Sequence, residues 1–181
     1  MPFLLLHLIR YRQMTFNPTK TLESENLLIR EMLSTDFDEL NLARSDPKIW
    51  QGHPKKDSYK KANIESWFEQ AIQENALAII DKSNTQLIGS SRYYEIDFKL
   101  NEVAIGYTFL TTKYWGGKTN HELKQLMLHH AWQYFETVWL HIGEENIRSR
   151  MAAEKIGANL DHTGHRDNIP YCWYIIPKGS I

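Results

Sequence analysis

Apolar residues recur at intervals of three and four positions in two stretches of the chain. This spacing places them on one face of a helix, so it predicts two amphipathic helices. The first lies around residues 64–72, and the buried face of the second spans residues 123–135. Two shorter helices are predicted over residues 35–45 and 146–156, and Gly157 ends the last of them.

The remaining apolar segments are short, and polar turn residues separate them, which is typical of β-strands. Seven strands are predicted, over residues 27–32, 76–81, 86–96, 102–110, 138–143, 159–165 and 171–176. In chain order the elements read β-α-α-β-β-β-α-β-α-β-β. This order predicts a single α/β domain of the mixed (α+β) type, with a mixed sheet and helices on both faces.

The composition is that of an ordinary globular domain. The chain has 181 residues, of which 42% are hydrophobic and 24% charged, and its formal net charge is −1. The sequence contains no block of basic residues, so it gives no indication of nucleic-acid binding. The single cysteine, Cys172, excludes an internal disulfide and is typical of a reducing compartment. We therefore expect a cytoplasmic protein.

The N-terminus differs from the rest of the chain. Residues 2–9 are apolar, but this run is too short to span a bilayer. Its basic residues follow the apolar run, whereas those of a signal peptide precede it. We expect no membrane partner, and we interpret residues 1–13 as an N-terminal extension. The domain is then expected over residues 14–181, with Met14 as the start.

A glycine turn precedes the second long helix. Glycines before a helix leave backbone N–H groups free to point outward, and the helix N-terminus adds partial positive charge. Such a turn can hold a phosphate or a pyrophosphate, although the same pattern also occurs at ordinary helix starts. The candidate residues are Trp115, Gly116, Gly117, Lys118, Thr119 and Asn120.

Several ordered motifs together resemble the GNAT acetyltransferases, in particular the branch that includes the Rim-type N-terminal acetyltransferases of ribosomal proteins. The motifs are Ile105–Leu110, the turn Trp115–Asn120 with Glu122, Lys124 and Leu128, and Asn146–Ala158. The resemblance implies a single domain whose central, twisted mixed sheet is splayed between its two middle strands. It also implies an acyltransferase that uses acetyl-CoA as cosubstrate and needs no metal.

The resemblance implies where acetyl-CoA binds. In that family, the strand corresponding to residues 105–110 separates from its neighbour, and its backbone pairs with the pantetheine arm. Backbone N–H groups near the end of the strand hold the oxyanion of the tetrahedral intermediate. The glycine turn is then the pyrophosphate site. The strand residues expected to bind the cosubstrate are Ile105, Gly106, Tyr107 and Thr108.

Asn146 and Ser149 lie at the start of the last predicted helix. By residue type alone, Asn146 is an ordinary helix cap and Ser149 is a solvated helix residue. The resemblance implies that the asparagine contacts the pantetheine arm and that the serine lies near the departing sulfur. A hydroxyl in that position can protonate the thiolate leaving group, so Ser149 is a candidate catalytic residue.

The identity of the general base is left open by the sequence. An ammonium ion must lose a proton before the amine attacks the thioester. Many relatives have a glutamate two residues before the glycine of the Ile-Gly-Tyr strand, where this chain has Ala104. Glu102 is the first candidate, because it lies on the same strand face and can act through a water. The alternatives are Glu95, Asp97, Asp167, His162 and His165.

The acceptor implied by the resemblance is a primary amine, and our first expectation is a protein N-terminus. Tyr93 and Tyr94 are candidates for lining the acceptor cleft, although strand alternation places one of them in the core. A small amine is the alternative acceptor: an aminoglycoside, a polyamine or an amino acid. A cleft dominated by carboxylates would favour a polycation. Ala104 in place of glutamate also leaves open a non-catalytic, CoA-binding regulatory domain, and monomer and homodimer are equally compatible with the sequence.

Overall fold

The computed structural model of the chain describes residues 15–180, so the predicted extension and Met14 lie outside the described residues. Eight strands form one mixed sheet, in which every neighbouring pair but one is antiparallel. The strands are β1 (Leu22–Glu23), β2 (Leu27–Glu31), β3 (Leu77–Asp81), β4 (Gln86–Asp97), β5 (Glu102–Leu110), β6 (Thr137–Gly143), β7 (Asn159–Arg166) and β8 (Ile169–Pro177).

Four α-helices cover the sheet: α1 (Phe37–Arg44), α2 (Lys61–Gln73), α3 (Thr119–Ala131) and α4 (Ile147–Lys155). The strand order across the sheet is β1-β2-β3-β4-β5-β6-β8-β7, and only β5 and β6 run parallel. The predicted α/β domain with a mixed sheet is therefore confirmed. The short edge strand β1 was not predicted, because two residues are too few to show a strand periodicity.

The hydrophobic core consists of two apolar clusters, and the alternation of β3 assigns them to opposite faces of the sheet. Ile79 belongs to one cluster with side chains of α3 and α4, whereas Ala78 and Ile80 belong to the other with side chains of α1 and α2. Successive side chains of a strand point to opposite faces, so two helices cover each face. This arrangement confirms the predicted helices on both faces.

Helix α3 is shorter than its buried pattern predicts, since it ends at Ala131. The N–H groups of Tyr134 and Phe135 both donate to the carbonyl of Ala131, so the chain leaves the helix in a tight turn. Phe135 is nevertheless buried, which is why the apolar pattern continues past the end of the helix. Helix α4 is followed, as predicted, by Gly157 in the left-handed conformation (φ 81°). Among residues 15–180, no helix has both the length and the apolarity needed to cross a membrane.

Candidate active site

Strands β5 and β6 separate halfway along the sheet. They pair only where Glu102–Ala104 meets Thr137–Trp139. Beyond that point β5 pairs with β4 alone, and β6 pairs with β8 alone. The facing edges of residues 105–110 and 140–143 therefore lack a strand partner. Such an edge can bind another extended chain through its backbone N–H and C=O groups.

A β-bulge interrupts β5 beside this gap. Arg92 pairs with Gly106 and Ser90 pairs with Phe109, so β5 has one residue more than the β4 segment opposite. Tyr107 lies in the bulge with a φ of 52°, a left-handed conformation that is uncommon for an aromatic residue. A bulge leaves its extra residue out of the ladder and redirects the local backbone groups. Strained backbone of this kind is frequent at functional sites.

A chain of hydrogen bonds stabilises the bulge. Lys124 Nζ donates to Thr108 Oγ1 at 2.7 Å, and that oxygen lies 2.7 Å from Ser91 Oγ. The Ser91 hydroxyl in turn donates to the carbonyl of Gly106 at 3.3 Å. The network therefore fixes the residues on both sides of Tyr107. It links helix α3, strand β5 and strand β4.

The glycine turn lies at the N-terminus of α3, as predicted. Gly116 has a φ of 72°, and a Cβ atom built on Gly116 or Gly117 would meet nothing within 4 Å. This empty space lets a ligand approach the backbone closely. Trp115 is anchored by an indole hydrogen bond to the Leu110 carbonyl at 2.9 Å. The guanidinium of Arg148 stacks on the Trp115 ring, 3.9 Å from its centroid.

Asn146 and Ser149 lie at the start of α4, facing β5. The Asn146 side chain is buried, and its Oδ1 accepts a hydrogen bond from Ser149 N at 3.3 Å, so the predicted cap is confirmed. The Asn146 amide nitrogen and the Ser149 hydroxyl have no hydrogen-bond partner among residues 15–180. Both groups are therefore available to a ligand.

Three connected cavities surround these residues. The first, the cleft, has about 730 Å³ including its mouth and lies between β5, β6 and α4. The second, the chamber, has about 1260 Å³ including its mouth and extends from Tyr107 towards Trp50 and Trp67. The third lies beside the glycine turn. Thr108 and Ser149 line all three cavities, so the three meet at these two side chains.

His141 is the centre of a polar cluster between the cleft and the chamber. Its Nδ1 accepts from the Arg166 guanidinium at 2.9 Å and lies 3.0 Å from the Tyr94 hydroxyl. Glu95 Oε2 is 3.6 Å from the same nitrogen, and Glu95 also forms an ion pair with Arg166. Burial lowers the pKa of His141 to about 4; Glu95 raises it, and Arg166 lowers it further. The imidazole is therefore neutral at pH 7.

Tyr94 lines the chamber and lies against the glycine of β5. A Cβ on Gly106 would come within 2.7 Å of the Tyr94 ring, so a larger residue would displace the ring. Tyr93, its neighbour, is buried in the core and donates to the Met127 carbonyl at 2.8 Å. His53, which lines both the cleft and the chamber, also has its pKa lowered to about 4, mainly by burial. Both histidines thus line the site as neutral rings.

The sequence-predicted bases have different surroundings. Glu102 lies where β5 and β6 are still paired, and its Oε2 accepts the Trp139 indole N–H at 2.9 Å. It does not line the three cavities. Asp97 accepts two backbone N–H groups of its own turn. The His162 ring stacks on Trp173, and its Nδ1 lies within hydrogen-bond distance of the Asp161 carboxylate. His165 is exposed. Asp167 lines the chamber, and Glu95 belongs to the His141 cluster.

His141, Arg166 and a role for Lys124 were not predicted from the sequence. His141 and Arg166 come from β6 and β7, and only the folded sheet brings them together. The position of Lys124 could have been predicted, because the i, i+4 spacing to Leu128 places this lysine on the buried face of α3. Among residues 15–180, no group of three or more His, Cys, Asp or Glu side chains could hold a metal ion.

Comparisons with known proteins agree with this geometry. Residues 26–159 match the family model of the acetyltransferase (GNAT) domain. A GCN5-related N-acetyltransferase from Brucella melitensis is similar in structure, with a TM-score of 0.82, 18% identity, and 92% of this chain and 82% of that chain covered. A spermidine N-acetyltransferase from Vibrio cholerae, solved with CoA and spermine, has a TM-score of 0.66, 14% identity, and coverage of 87% and 98%.

A protein from Vibrio cholerae that is assigned as a ribosomal-protein-serine acetyltransferase is also similar, with a TM-score of 0.71 and 12% identity. The superposition covers 88% of this chain and 98% of that chain. No curated protein sequence matches the chain significantly. At these identities the solved structures establish a shared fold, and the family model establishes the kind of domain.

Proposed function

The chain belongs to the GNAT acetyltransferase family, and from this premise we propose that it transfers the acetyl group of acetyl-CoA to the N-terminal amine of a protein. The observation that carries the proposal is the separation of β5 from β6 beside a bulge and a glycine turn. An open strand edge, a redirected backbone and a helix N-terminus thereby border connected cavities. These are the elements that a thioester with a long polar arm and a pyrophosphate requires.

Acetyl-CoA is the proposed occupant of the cleft. Its pantetheine arm pairs with the open edge of Ile105–Thr108, and the free amide nitrogen of Asn146 donates to it from the other side. The Trp115–Asn120 turn holds the pyrophosphate, where the missing side chains of Gly116 and Gly117 leave room for it. The stacked Arg148 adds positive charge beside this turn.

The proposed chemistry is direct acetyl transfer. The amine attacks the thioester carbonyl, a C–N bond forms, and the C–S bond then breaks to release the CoA thiolate. Backbone N–H groups at the Tyr107 bulge stabilise the oxyanion of the tetrahedral intermediate. The Ser149 hydroxyl, which has no protein partner in the described part of the chain, donates to the departing sulfur.

The proton of the attacking amine leaves, in this proposal, through Tyr94 to His141. The Tyr94 hydroxyl lines the chamber that is the proposed acceptor site (the acceptor chamber), and it lies 3.0 Å from His141 Nδ1. Arg166 donates to the single lone pair of that nitrogen and also pairs with Glu95, so the imidazole takes the proton as the Arg166 guanidinium shifts its hydrogen bond to Glu95. The amine of the tetrahedral intermediate is more acidic than the free amine, and the Glu95 carboxylate raises the pKa of the imidazole that receives its proton. The role of Glu102 as general base stays a prediction. Glu102 does not line the cavities, and its carboxylate accepts a hydrogen bond from the Trp139 indole.

The charge of the acceptor chamber supports an N-terminal amine over a polyamine. The chamber is lined by four cationic side chains and one carboxylate. Two of the cations, Arg92 and Arg166, pair with Glu74 and Glu95, which leaves Lys55 and Arg148 against Asp167. A polycation would therefore meet positive charge instead of the carboxylates it needs. The charged side chains lining the chamber are Lys55, Arg92, Arg148, Arg166 and Asp167.

A small amine that carries a carboxylate or a phosphate is the second candidate acceptor, because the same cations would attract its anionic group. Two similar structures illustrate the range of acceptors: one is a spermidine N-acetyltransferase, and the other is assigned as a ribosomal-protein-serine acetyltransferase. Because its chamber is cationic, this chain is expected to take a less positively charged substrate than the spermidine N-acetyltransferase. The Rim-type branch remains part of the proposal.

The test is an acceptor panel with release of free CoA as the readout. It contains peptides with free N-termini, the same peptides with blocked N-termini, amino acids, spermidine and an aminoglycoside. We expect transfer to free N-termini, none to blocked ones, and the weakest rates with the polycations. A preference for spermidine would contradict the proposed acceptor. Acetyl-CoA binding without transfer to any amine would favour the non-catalytic regulatory domain.

A further inference from the structure

Lys124 is a buried lysine that the proposed reaction leaves without a role. It lies on α3 one turn after Asn120, and only 6% of the residue is exposed. Its Nζ makes one hydrogen bond, to Thr108 Oγ1 at 2.7 Å. No carboxylate among residues 15–180 forms an ion pair with it. Two of the three hydrogens of the ammonium form therefore lack a protein acceptor.

A lysine in this position costs the fold stability. Burial lowers the pKa of Lys124 to about 7, and no compensating charge raises it. The neighbouring positions of the same helix, Leu123, Met127 and Leu128, are apolar and fully buried. An apolar side chain of similar length would suit this surface better, because an uncompensated buried charge is strongly unfavourable. A buried titratable group that lines a cleft without a charge partner is a candidate functional residue.

The location of Lys124 indicates which molecule it meets. It lines the cleft with Asn120 and Thr108, but it does not line the acceptor chamber. A role as the base for the acceptor amine is therefore disfavoured. The other titratable side chains that line the cleft are His53, Tyr107, His141 and Tyr171, and none is a carboxylate. The cleft lining therefore supplies no negative charge to an ammonium at this position, whereas an anionic ligand would supply it.

We propose that Lys124 is an acyl-CoA-binding residue whose amine donates hydrogen bonds to the cosubstrate from the floor of the cleft and takes up a proton when the cosubstrate binds. The cosubstrate brings phosphate charges and further amide carbonyls into a cleft whose lining has no carboxylate. Through Thr108, the same amine also holds one side of the Tyr107 bulge. This inference rests on the proposed function, since it assumes that acetyl-CoA occupies the cleft.

The proton uptake follows from the sign of the linkage. In the empty cleft the amine is mostly neutral above about pH 7, because burial disfavours its charged form. An anion bound nearby favours the charged form and raises the pKa, so binding at about pH 8 consumes a proton. The Kd for acetyl-CoA then rises by up to about tenfold per pH unit above pH 7, until the pKa of the complex is reached.

The test is calorimetric titration of acetyl-CoA into the protein without an acceptor, at about pH 8, in two buffers of different ionisation enthalpy. Wild type is expected to take up close to one proton, whereas Lys124→Met is expected to take up none. Loss of the charged donor is expected to raise the Kd about 10-fold to 100-fold. Lys155→Met, which removes an exposed charge on α4, is the matched control and should behave as wild type.

Thermal melting separates a ligand-binding lysine from a structural one. Lys124→Met without ligand should melt at the same temperature as wild type or higher, because the buried charge is removed. A lower melting temperature with an unchanged Kd would overturn the inference, as would equal proton uptake in both proteins. A pH-independent wild-type Kd between about pH 7 and pH 9 would overturn it without any variant. Wild type that fails to bind acetyl-CoA would instead refute the proposed function, and this inference with it.

Discussion

Replacement of Ser149 by alanine tests the proposed chemistry at a single oxygen atom. The Ser149 hydroxyl lines all three cavities and makes no hydrogen bond within residues 15–180. Its backbone N–H, which the substitution keeps, is the group that Asn146 caps. The change therefore removes no hydrogen bond of the described fold. Alanine also has the better helix propensity, by up to about 0.5 kcal/mol.

The expected effects on stability and on rate differ in size. The free energy of unfolding of Ser149→Ala should stay within about 0.5 kcal/mol of wild type. If the hydroxyl assists the departing thiolate, kcat should fall about 10-fold to 1000-fold, which is near the lower part of the usual range because water can partly replace it. The Kd for acetyl-CoA should change little, since the interaction develops mainly in the transition state.

Asn146→Ala is the matched comparison, because it alters the same turn of α4 in the opposite way. It removes the cap, which costs about 1 kcal/mol of stability, and it also removes the amide proposed to hold the pantetheine arm. Acetyl-CoA affinity should fall in Asn146→Ala and kcat should fall in Ser149→Ala. The assay is steady-state release of CoA with an active acceptor, with calorimetry for the Kd. Equal kcat in wild type and Ser149→Ala, when chemistry limits the rate, would exclude Ser149 from the mechanism.

Gly117→Val should weaken acetyl-CoA binding by at least about tenfold and leave the melting temperature nearly unchanged, because the new side chain meets only the space proposed for the pyrophosphate. An unchanged Kd would contradict the phosphate site. Tyr94→Phe keeps the ring against Gly106 but removes the contact to His141, so kcat should fall about 10-fold to 100-fold with little change in Kd, and wild-type kcat would contradict the proton route. His53 and His141 have folded pKa values of about 4, below the usual value of about 6.5, so their contribution to stability is present above about pH 6.5 and is lost as the pH falls towards 4. Between pH 7 and pH 5, the melting temperature of the double variant His53→Gln/His141→Gln should therefore fall less than that of wild type. An equal fall in both proteins would contradict the lowered pKa values of the two histidines.

Much of the fold was predictable because its signals are local. The spacing of Ile64, Phe68 and Ala71 identified α2, and Gly157 marked the end of α4 with the left-handed residue that helix ends favour. The order of elements then limited the sheet to a mixed topology. The end of α3 was placed too late, because Phe135 remains buried after the helix has ended.

The candidate site was less predictable, because its polar contacts join distant segments. Tyr94, His141 and Arg166 lie on β4, β6 and β7, and the sequence carries no periodicity that would link them. The left-handed conformation of Tyr107 follows from strand register, and its residue type argues against it. Glu102 lies on the predicted strand, but in the part of β5 that is still paired with β6, before the two strands separate.

The central claim is that acetyl-CoA lies in the cleft between the separated ends of β5 and β6. A crystal structure of the protein with acetyl-CoA tests it most directly. The account predicts the pantetheine arm along Ile105–Thr108, the pyrophosphate over Gly116 and Gly117, and the thioester beside Ser149. Acetyl-CoA bound elsewhere, or a cleft that stays empty at saturating acetyl-CoA, would contradict the account.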